Sequence, residues 1–91
     1  NLMKLISLIT PDVNLDALSR ICQPEDAILL RQDAVYLCLS PQRSWPVKQL
    51  YALQTDVAIR QLQLPDSIHA VSATQWIDLC SKATQNILWQ K

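Results

Sequence analysis

The stretch DAILLRQDAVYLCLS, residues 26–40, places two apolar runs on either side of the polar pair Gln32-Asp33. The first run, residues 27–30, is short and continuously apolar, which is typical of a strand buried on both faces of a parallel sheet. The second run predicts a helix over residues 34–39. Gln32-Asp33 is then the turn between strand and helix, and we predict that the Asp33 carboxylate caps this helix.

The length and composition of the chain are those of one small globular domain, residues 1–91. Hydrophobic residues make up 49% of the sequence, which favours a packed core over disorder. Eight Lys plus Arg balance eight Asp plus Glu, and the basic residues form no stripe. Proteins that bind nucleic acid directly normally carry a basic stripe, so we do not expect direct nucleic-acid binding.

The cysteines are odd in number and widely spaced, at positions 22, 38 and 80. This pattern predicts neither a disulfide framework nor a metal site, and it favours a reducing, cytoplasmic location. No apolar run approaches the ~20 residues that span a bilayer. No signal-peptide pattern occurs, so a membrane location is not expected. The chain has no glycine and so no glycine-rich loop that could hold a phosphate, and we expect no cofactor.

The rest of the chain alternates short apolar runs with segments of helical period. The predicted strands are residues 5–9, 27–30, 47–53 and 68–71. A helix is predicted after Pro11, and a second is predicted after a cap at Thr55 or Asp56. A capping-box pattern, Ser72 with Gln75, opens the last helix. The apolar stripe predicted for that helix consists of Trp76, Cys80, Ala83 and Ile87.

This alternation of strands and helices predicts an α/β fold with right-handed crossovers. We expect a small Rossmann-like three-layer sandwich of about four mainly parallel strands, with helices on both faces of the sheet. A sheet of this size leaves an edge strand and apolar helix faces that need cover, which favours association with other chains.

Four segments, taken in order, resemble the TusB/DsrH family of small sulfur-relay subunits. DAILLRQDAVYLCL is similar to the family's strand-turn-helix LLLQDGV, and LISLI lies where its first strand does. PVKQLYALQTDVAIRQL resembles the family's KVYAL..D...ARGL block, with matches that include Asp56 and Arg60. SATQWIDLCSKATQNILW resembles its closing helix and near-terminal tryptophan, here Trp89. The resemblance covers nearly the whole chain.

The sequence departs from the family pattern at two glycines, which are replaced by Ala34 and Gln61. Alanine and glutamine visit the left-handed region of backbone space reluctantly. If either family glycine has a positive φ, we expect the local turn to differ in this chain.

The resemblance implies a subunit that assembles with TusC/DsrF-like and TusD/DsrE-like sister subunits into a heterohexamer. Such complexes pass persulfide sulfur between cysteines of donor and acceptor proteins. The sulfur serves either 2-thiolation of the tRNA wobble uridine or dissimilatory sulfur oxidation. The principal sulfur-accepting cysteine of the family belongs to the TusD/DsrE-like sister, which implies a structural and docking role for this chain.

Two cysteines remain candidate persulfide carriers. A carrier thiol must be exposed and acidified by a cation or a helix N-terminus. Cys22 ends the first predicted helix, near its negative pole, and Cys38 lies more than a turn into its own helix. For both residues, and for Cys80, packing in the core is the favoured interpretation.

Other candidate residues are assigned by position. Trp89 and the adjacent Leu88 follow the last predicted helix, and we predict that they contact another subunit. His69 lies in a predicted strand without a Ser or Cys partner, so a structural or exposed role is expected. By analogy, Gln32-Asp33 lies near subunit contacts.

The sequence therefore predicts a non-catalytic docking subunit of a sulfur relay. One alternative is a thiol sulfurtransferase that carries persulfide on Cys22 or Cys38. Another is a free-standing, homo-oligomeric α/β protein outside any relay.

Overall fold

A computed structural model of the chain describes residues 3–39 and 45–89. The strands are β1 Lys4–Leu8, β2 Ala27–Leu30, β3 Gln49–Leu53, β4 Ile68–Val71 and β5 Gln85–Trp89. The α-helices are α1 Leu15–Ser19, α2 Gln54–Ile59 and α3 Ala73–Lys82, and a 3₁₀ helix covers Gln32–Leu39.

The five strands form one sheet in the order β4-β3-β2-β1-β5, and every neighbouring pair is parallel. The α/β prediction is confirmed, but the sheet has one strand more than the four that were predicted. Residues assigned to the end of the last helix, including Ile87, belong instead to β5, which pairs with β1. The chain crosses the whole sheet between β4 and β5, through α3.

The two faces of the sheet are covered unequally. One face, here called the helix-rich face, packs against α1, the 3₁₀ helix and α2, with buried side chains that include Ile6, Ile28 and Leu50. The opposite face packs against α3 around Leu5 and Leu29. No residue of α3 is fully buried, so this second face has the thinner cover.

The helix starts follow from local hydrogen bonds. The capping box of α3 is confirmed: the Ser72 Oγ accepts from the Gln75 N–H at 3.2 Å, and the Ser72 N–H donates to the Gln75 Oε1 at 2.8 Å. The start predicted for α1 at Pro11 is wrong. The helix begins only after Asn14, whose side chain accepts from two backbone N–H groups of the first turn, at 3.0 and 3.2 Å.

The start predicted for α2 is also wrong. This helix begins one residue before Thr55, and its N-cap residue, Leu53, has no side-chain oxygen to offer. Asp56 instead lies inside the first turn, where its carboxylate is free to contact a neighbouring element. That contact forms the candidate functional site.

Candidate functional site

The residue that follows β2 sets the direction of the 3₁₀ helix. Gln32 has φ 51°, in the left-handed region, so the chain turns sharply directly after Arg31. The Ala34 N–H then donates to the Arg31 carbonyl at 3.0 Å and starts the helical turn. Residues in this conformation are usually Gly, Asn or Asp, and a Gln there carries a steric cost.

A carboxylate from the next strand-helix unit stabilises this turn. The Gln32 N–H donates to the Asp56 Oδ2 at 2.8 Å, which joins the carboxyl ends of β2 and β3. Asp56 belongs to α2, but its carboxylate accepts a hydrogen bond from the first residue of the 3₁₀ helix. This geometry places a negative charge where the N-terminal groups of the 3₁₀ helix favour one.

Arg60 connects Asp56 with Asp33. Its Nη2 donates to the Asp33 Oδ1 at 2.9 Å, and its Nη1 lies 3.6 Å from the Asp56 Oδ1. The guanidinium carbon also lies 5.8 Å from the centroid of the Tyr36 ring. The hydrogen bond to Asp33 raises the pKa of Arg60 above its ordinary value; burial opposes the shift, and the charges of Asp33 and Asp56 add to it.

Gln32, Asp33, Asp56 and Arg60 together form what we call the carboxyl-end cluster. The prediction that Asp33 caps the following helix needs correction, because its carboxylate binds Arg60 and lies within the first turn. The Asp33 side chain is 65% exposed, whereas that of Arg60 is 19% exposed. The cluster therefore presents to solvent a carboxylate whose position is fixed by a guanidinium group, and it contains no thiol or hydroxyl side chain.

The two residues of this chain that replace family glycines, Ala34 and Gln61, differ in backbone conformation. Gln61 has φ 54°, one residue beyond the C-cap of α2, in the left-handed region that glycine adopts most readily. Ala34 is not among the residues with positive φ; in that turn Gln32 takes the left-handed conformation instead.

None of the candidate cysteines belongs to the carboxyl-end cluster. Cys38 is 3% exposed, which confirms its predicted burial, and burial raises the pKa of its thiol. Cys22 is half-buried beyond the end of α1, and burial together with the Asp26 charge raises its pKa, partly offset by Lys4. Cys80 packs against the α3-covered core but is only half-buried. Raised pKa values leave less thiolate at neutral pH.

The residues predicted to contact another subunit both lie in the edge strand β5. Leu88 is 51% exposed, whereas Trp89 is half-buried and packs against the helix-rich face. Their role in an interface stays a prediction. His69 is exposed, as expected, with its ring centroid 6.2 Å from that of Tyr51.

Sequence reasoning missed one charged contact, at the amino ends of β1 and β2. Asp26, 2% exposed, accepts from the backbone N–H groups of Lys4 at 3.0 Å and Gln23 at 2.9 Å. The Lys4 Nζ lies 3.5 Å from the Asp26 Oδ2 and also donates to the Ile21 carbonyl. The available signal was an aspartate directly before a fully apolar strand, where only a partnered carboxylate is tolerated.

Residues 3–39 and 45–89 show neither a cluster of metal-binding side chains nor a membrane-spanning helix. Within these ranges, no group of three or more His, Cys, Asp or Glu side chains could hold a metal ion. No helix there has the length and apolar character needed to cross a membrane.

The fold and the carboxyl-end cluster define a small parallel α/β domain with an exposed ion-paired turn. Residues 10–86 match the sequence profile of the family described as DsrH like protein. A Protein TusB of Yersinia enterocolitica is 35% identical over 83 residues, covering 84% of this chain and 87% of the relative. Proteins of the same name from Yersinia pestis and Yersinia pseudotuberculosis are 32% identical, with the same coverage. This chain belongs to the DsrH-like family.

Proposed function

We propose that this chain is a non-catalytic docking subunit of a heteromeric, cytoplasmic sulfur-relay complex that serves 2-thiolation of the tRNA wobble uridine. Its partners are TusC/DsrF-like and TusD/DsrE-like sister subunits, arranged in a heterohexamer. Donor and acceptor proteins of persulfide then meet the complex through those sisters.

One observation carries this proposal. The two segments with the most family-like residues, one with Asp33 and the other with Asp56 and Arg60, meet in the carboxyl-end cluster. The Asp33 carboxylate is the exposed part of this cluster. Arg60 lies over Tyr36, which is 42% exposed, and follows Ile59, which is 75% exposed. Exposed aromatic and aliphatic side chains around a fixed Arg are typical of a protein interface.

The thiols of Cys22 and Cys38 support the non-catalytic role. Both have raised pKa values, and Cys38 is enclosed in the core. A carrier thiol needs the opposite, namely exposure and a lowered pKa. The alternative in which this chain carries persulfide itself is therefore less well supported.

Co-purification tests the docking role. The chain is co-expressed with TusC-like and TusD-like sisters, and the assembly is sized by light scattering. We expect a heteromeric complex that Asp33→Arg weakens, because the new charge repels Arg60 and changes the exposed surface. Asp66→Arg is the matched control, since Asp66 is an exposed acidic residue outside the cluster. A chain that stays alone in the presence of both sisters would favour the free-standing alternative.

Sulfur transfer tests the second part of the proposal. In the assembled complex, Cys22→Ser combined with Cys38→Ala should leave the 2-thiouridine content of tRNA unchanged, as measured by mass spectrometry of nucleosides. Loss of 2-thiouridine with an intact complex would establish the sulfurtransferase alternative. A complex that assembles but never affects tRNA would favour the sulfur-oxidation pathway.

A further inference from the structure

A second candidate surface lies on the opposite face of the sheet from the carboxyl-end cluster. It is a cavity of about 200 Å³, here called the Arg31 pocket. Its walls come from β1, β5, α3 and the residue after β2, and they include Ser7, Arg31, Trp76, Cys80, Asn86 and Leu88.

The position of the pocket in the topology favours a ligand. Strands β1 to β4 follow one another across the sheet, and the chain then returns to add β5 on the far side of β1. The order of the strands therefore reverses between β1 and β5, where Ser7 pairs with Leu88. In open parallel α/β sheets, ligands bind near the carboxyl ends of the strands at such a reversal.

Two donors in this region lack acceptors among the described residues. Arg31 stacks on Trp76, with 4.2 Å between the guanidinium carbon and the ring centroid. Stacking occupies the flat face of the guanidinium, but its N–H groups point outward in the guanidinium plane. The Arg31 Nε and the Trp76 Nε1 are buried and have no hydrogen-bond partner in the part of the chain that the structure describes. Both groups can only donate, so the missing partner is an acceptor.

Within residues 3–39 and 45–89, the charge of Arg31 is also uncompensated. Among the described residues, no carboxylate forms an ion pair with Arg31, and the walls of its pocket contain no Asp or Glu. Arg60 provides the contrast within the same molecule, since it contacts both Asp33 and Asp56. A half-buried guanidinium without a counter-ion is a setting that favours an anion.

We propose that the Arg31 pocket binds the carboxylate group of a small organic acid. The carboxylate oxygens accept from the terminal Nη groups of Arg31, which form no hydrogen bond with the described residues, and the exposed Leu88 contacts the carbon part of the ligand. This inference does not depend on the sulfur-relay assignment, and its test needs no sister subunit.

The test is a titration with sodium propionate, at constant ionic strength against sodium chloride, followed by the NMR signal of the Trp76 indole N–H. Trp76→Phe identifies that signal. We expect a saturable shift with a millimolar dissociation constant, and binding at least about tenfold weaker in Arg31→Met, the scale expected when one charged hydrogen bond of about 1.4 kcal/mol is lost. Arg20→Met, at an exposed arginine outside the pocket, should bind like wild type.

A shift that chloride reproduces, or one that Arg31→Met leaves unchanged, overturns the proposal. Far-UV circular dichroism shows whether Arg31→Met is folded. If it is not, Arg31→Lys takes its place: lysine keeps the charge but lacks the planar set of donors, so weaker binding is again expected. Equal binding by Arg31→Lys and wild type would contradict the proposed contact.

The Cys80 thiol gives an independent readout, because it lies in the wall of the pocket. In a Cys22→Ser background, propionate should slow the alkylation of Cys80 by iodoacetamide, while chloride should not. The enclosed Cys38 adds little to the rate. An alkylation rate that propionate leaves unchanged counts against occupation of the pocket.

Discussion

The two ends of the sheet each hold an aspartate that binds a cation, and they differ in burial. At the amino end, Asp26 is 2% exposed. At the carboxyl end, the Asp33 side chain is 65% exposed. Asp26 accepts from two backbone N–H groups and pairs with Lys4, whereas the described contact of Asp33 is one hydrogen bond from Arg60.

This difference separates a structural carboxylate from an available one. Three groups of its own chain occupy the acceptor positions of Asp26, so little remains for a partner molecule. Asp33 keeps most of its surface in solvent, and its position is fixed by Arg60. The same residue type therefore supports the fold at one end of the sheet and is suited to recognition at the other.

The largest effect is expected when the amino-end contact is removed. Asp26→Ala leaves two N–H groups and the Lys4 charge without their acceptor, and the loss of a buried charged partner costs roughly 2–4 kcal/mol. Urea unfolding followed by circular dichroism measures the change. Asp12→Ala, at an exposed aspartate, is the matched control and should lie within about 0.5 kcal/mol of wild type. Equal stability of the two variants would show that Asp26 does not stabilise the fold, and the distinction between the amino and carboxyl ends of the sheet would be wrong.

The pH dependence of stability tests whether the ionised Asp26 carboxylate stabilises the fold. Burial alone would raise the pKa of Asp26, but the N–H groups of Lys4 and Gln23 and the Lys4 charge lower it below the ordinary 3.8. The stabilisation is therefore complete above pH 3.8 and is lost as the pH falls through the lower pKa of the folded state. The difference in unfolding free energy between wild type and Asp26→Asn should shrink below pH 3.8 and stay constant at neutral pH.

A difference between wild type and Asp26→Asn that is as large at pH 2 as at pH 7 would contradict this assignment. Both proteins are to be measured in the same urea series at each of those values. Asp66→Asn controls for the general loss of charge at low pH, because Asp66 is exposed.

How far the sequence predicts this fold depends on whether a signal is local. The bounds of β2 and β4 and the capping box of α3 follow from adjacent residues, and all three are confirmed. β5 was missed because Ile87 continues the helical spacing of Trp76, Cys80 and Ala83. Its strand conformation comes from pairing with β1, about eighty residues away along the chain.

The candidate site shows the same limit. The family resemblance singled out Asp33, Asp56 and Arg60 one by one, from two separate segments. Their contact spans 27 positions between Asp33 and Arg60, and no periodic pattern connects residues so far apart. The amino-end contact of Lys4 with Asp26 was missed for the same reason, since it joins two elements 22 positions apart.

A smaller, stabilising effect is expected at the carboxyl end, at the left-handed turn. Gln32→Gly should raise the unfolding free energy by about 0.5–1 kcal/mol, because glycine adopts φ 51° without the steric cost that a Cβ atom imposes. The backbone N–H that donates to Asp56 is retained. Gln32→Ala is the matched control: it removes the same side chain but keeps the Cβ atom, so no gain is expected. If both variants have a raised unfolding free energy, the cause is loss of the Gln32 side chain and not relief of the backbone at φ 51°.

The smallest effect on stability is expected for substitution of Asp33. Comparing its effects on stability and on binding tests whether the carboxyl end of the sheet serves recognition. Asp33→Asn weakens one exposed ion pair, and such pairs add little to stability in water. The urea midpoint should therefore match that of wild type within experimental error. If sister subunits contact this surface, the same variant should bind them less tightly, most visibly at low salt, where exposed charges are least screened. A loss of stability without a loss of binding would make Asp33 a structural residue like Asp26, and the carboxyl end would then have no distinct role.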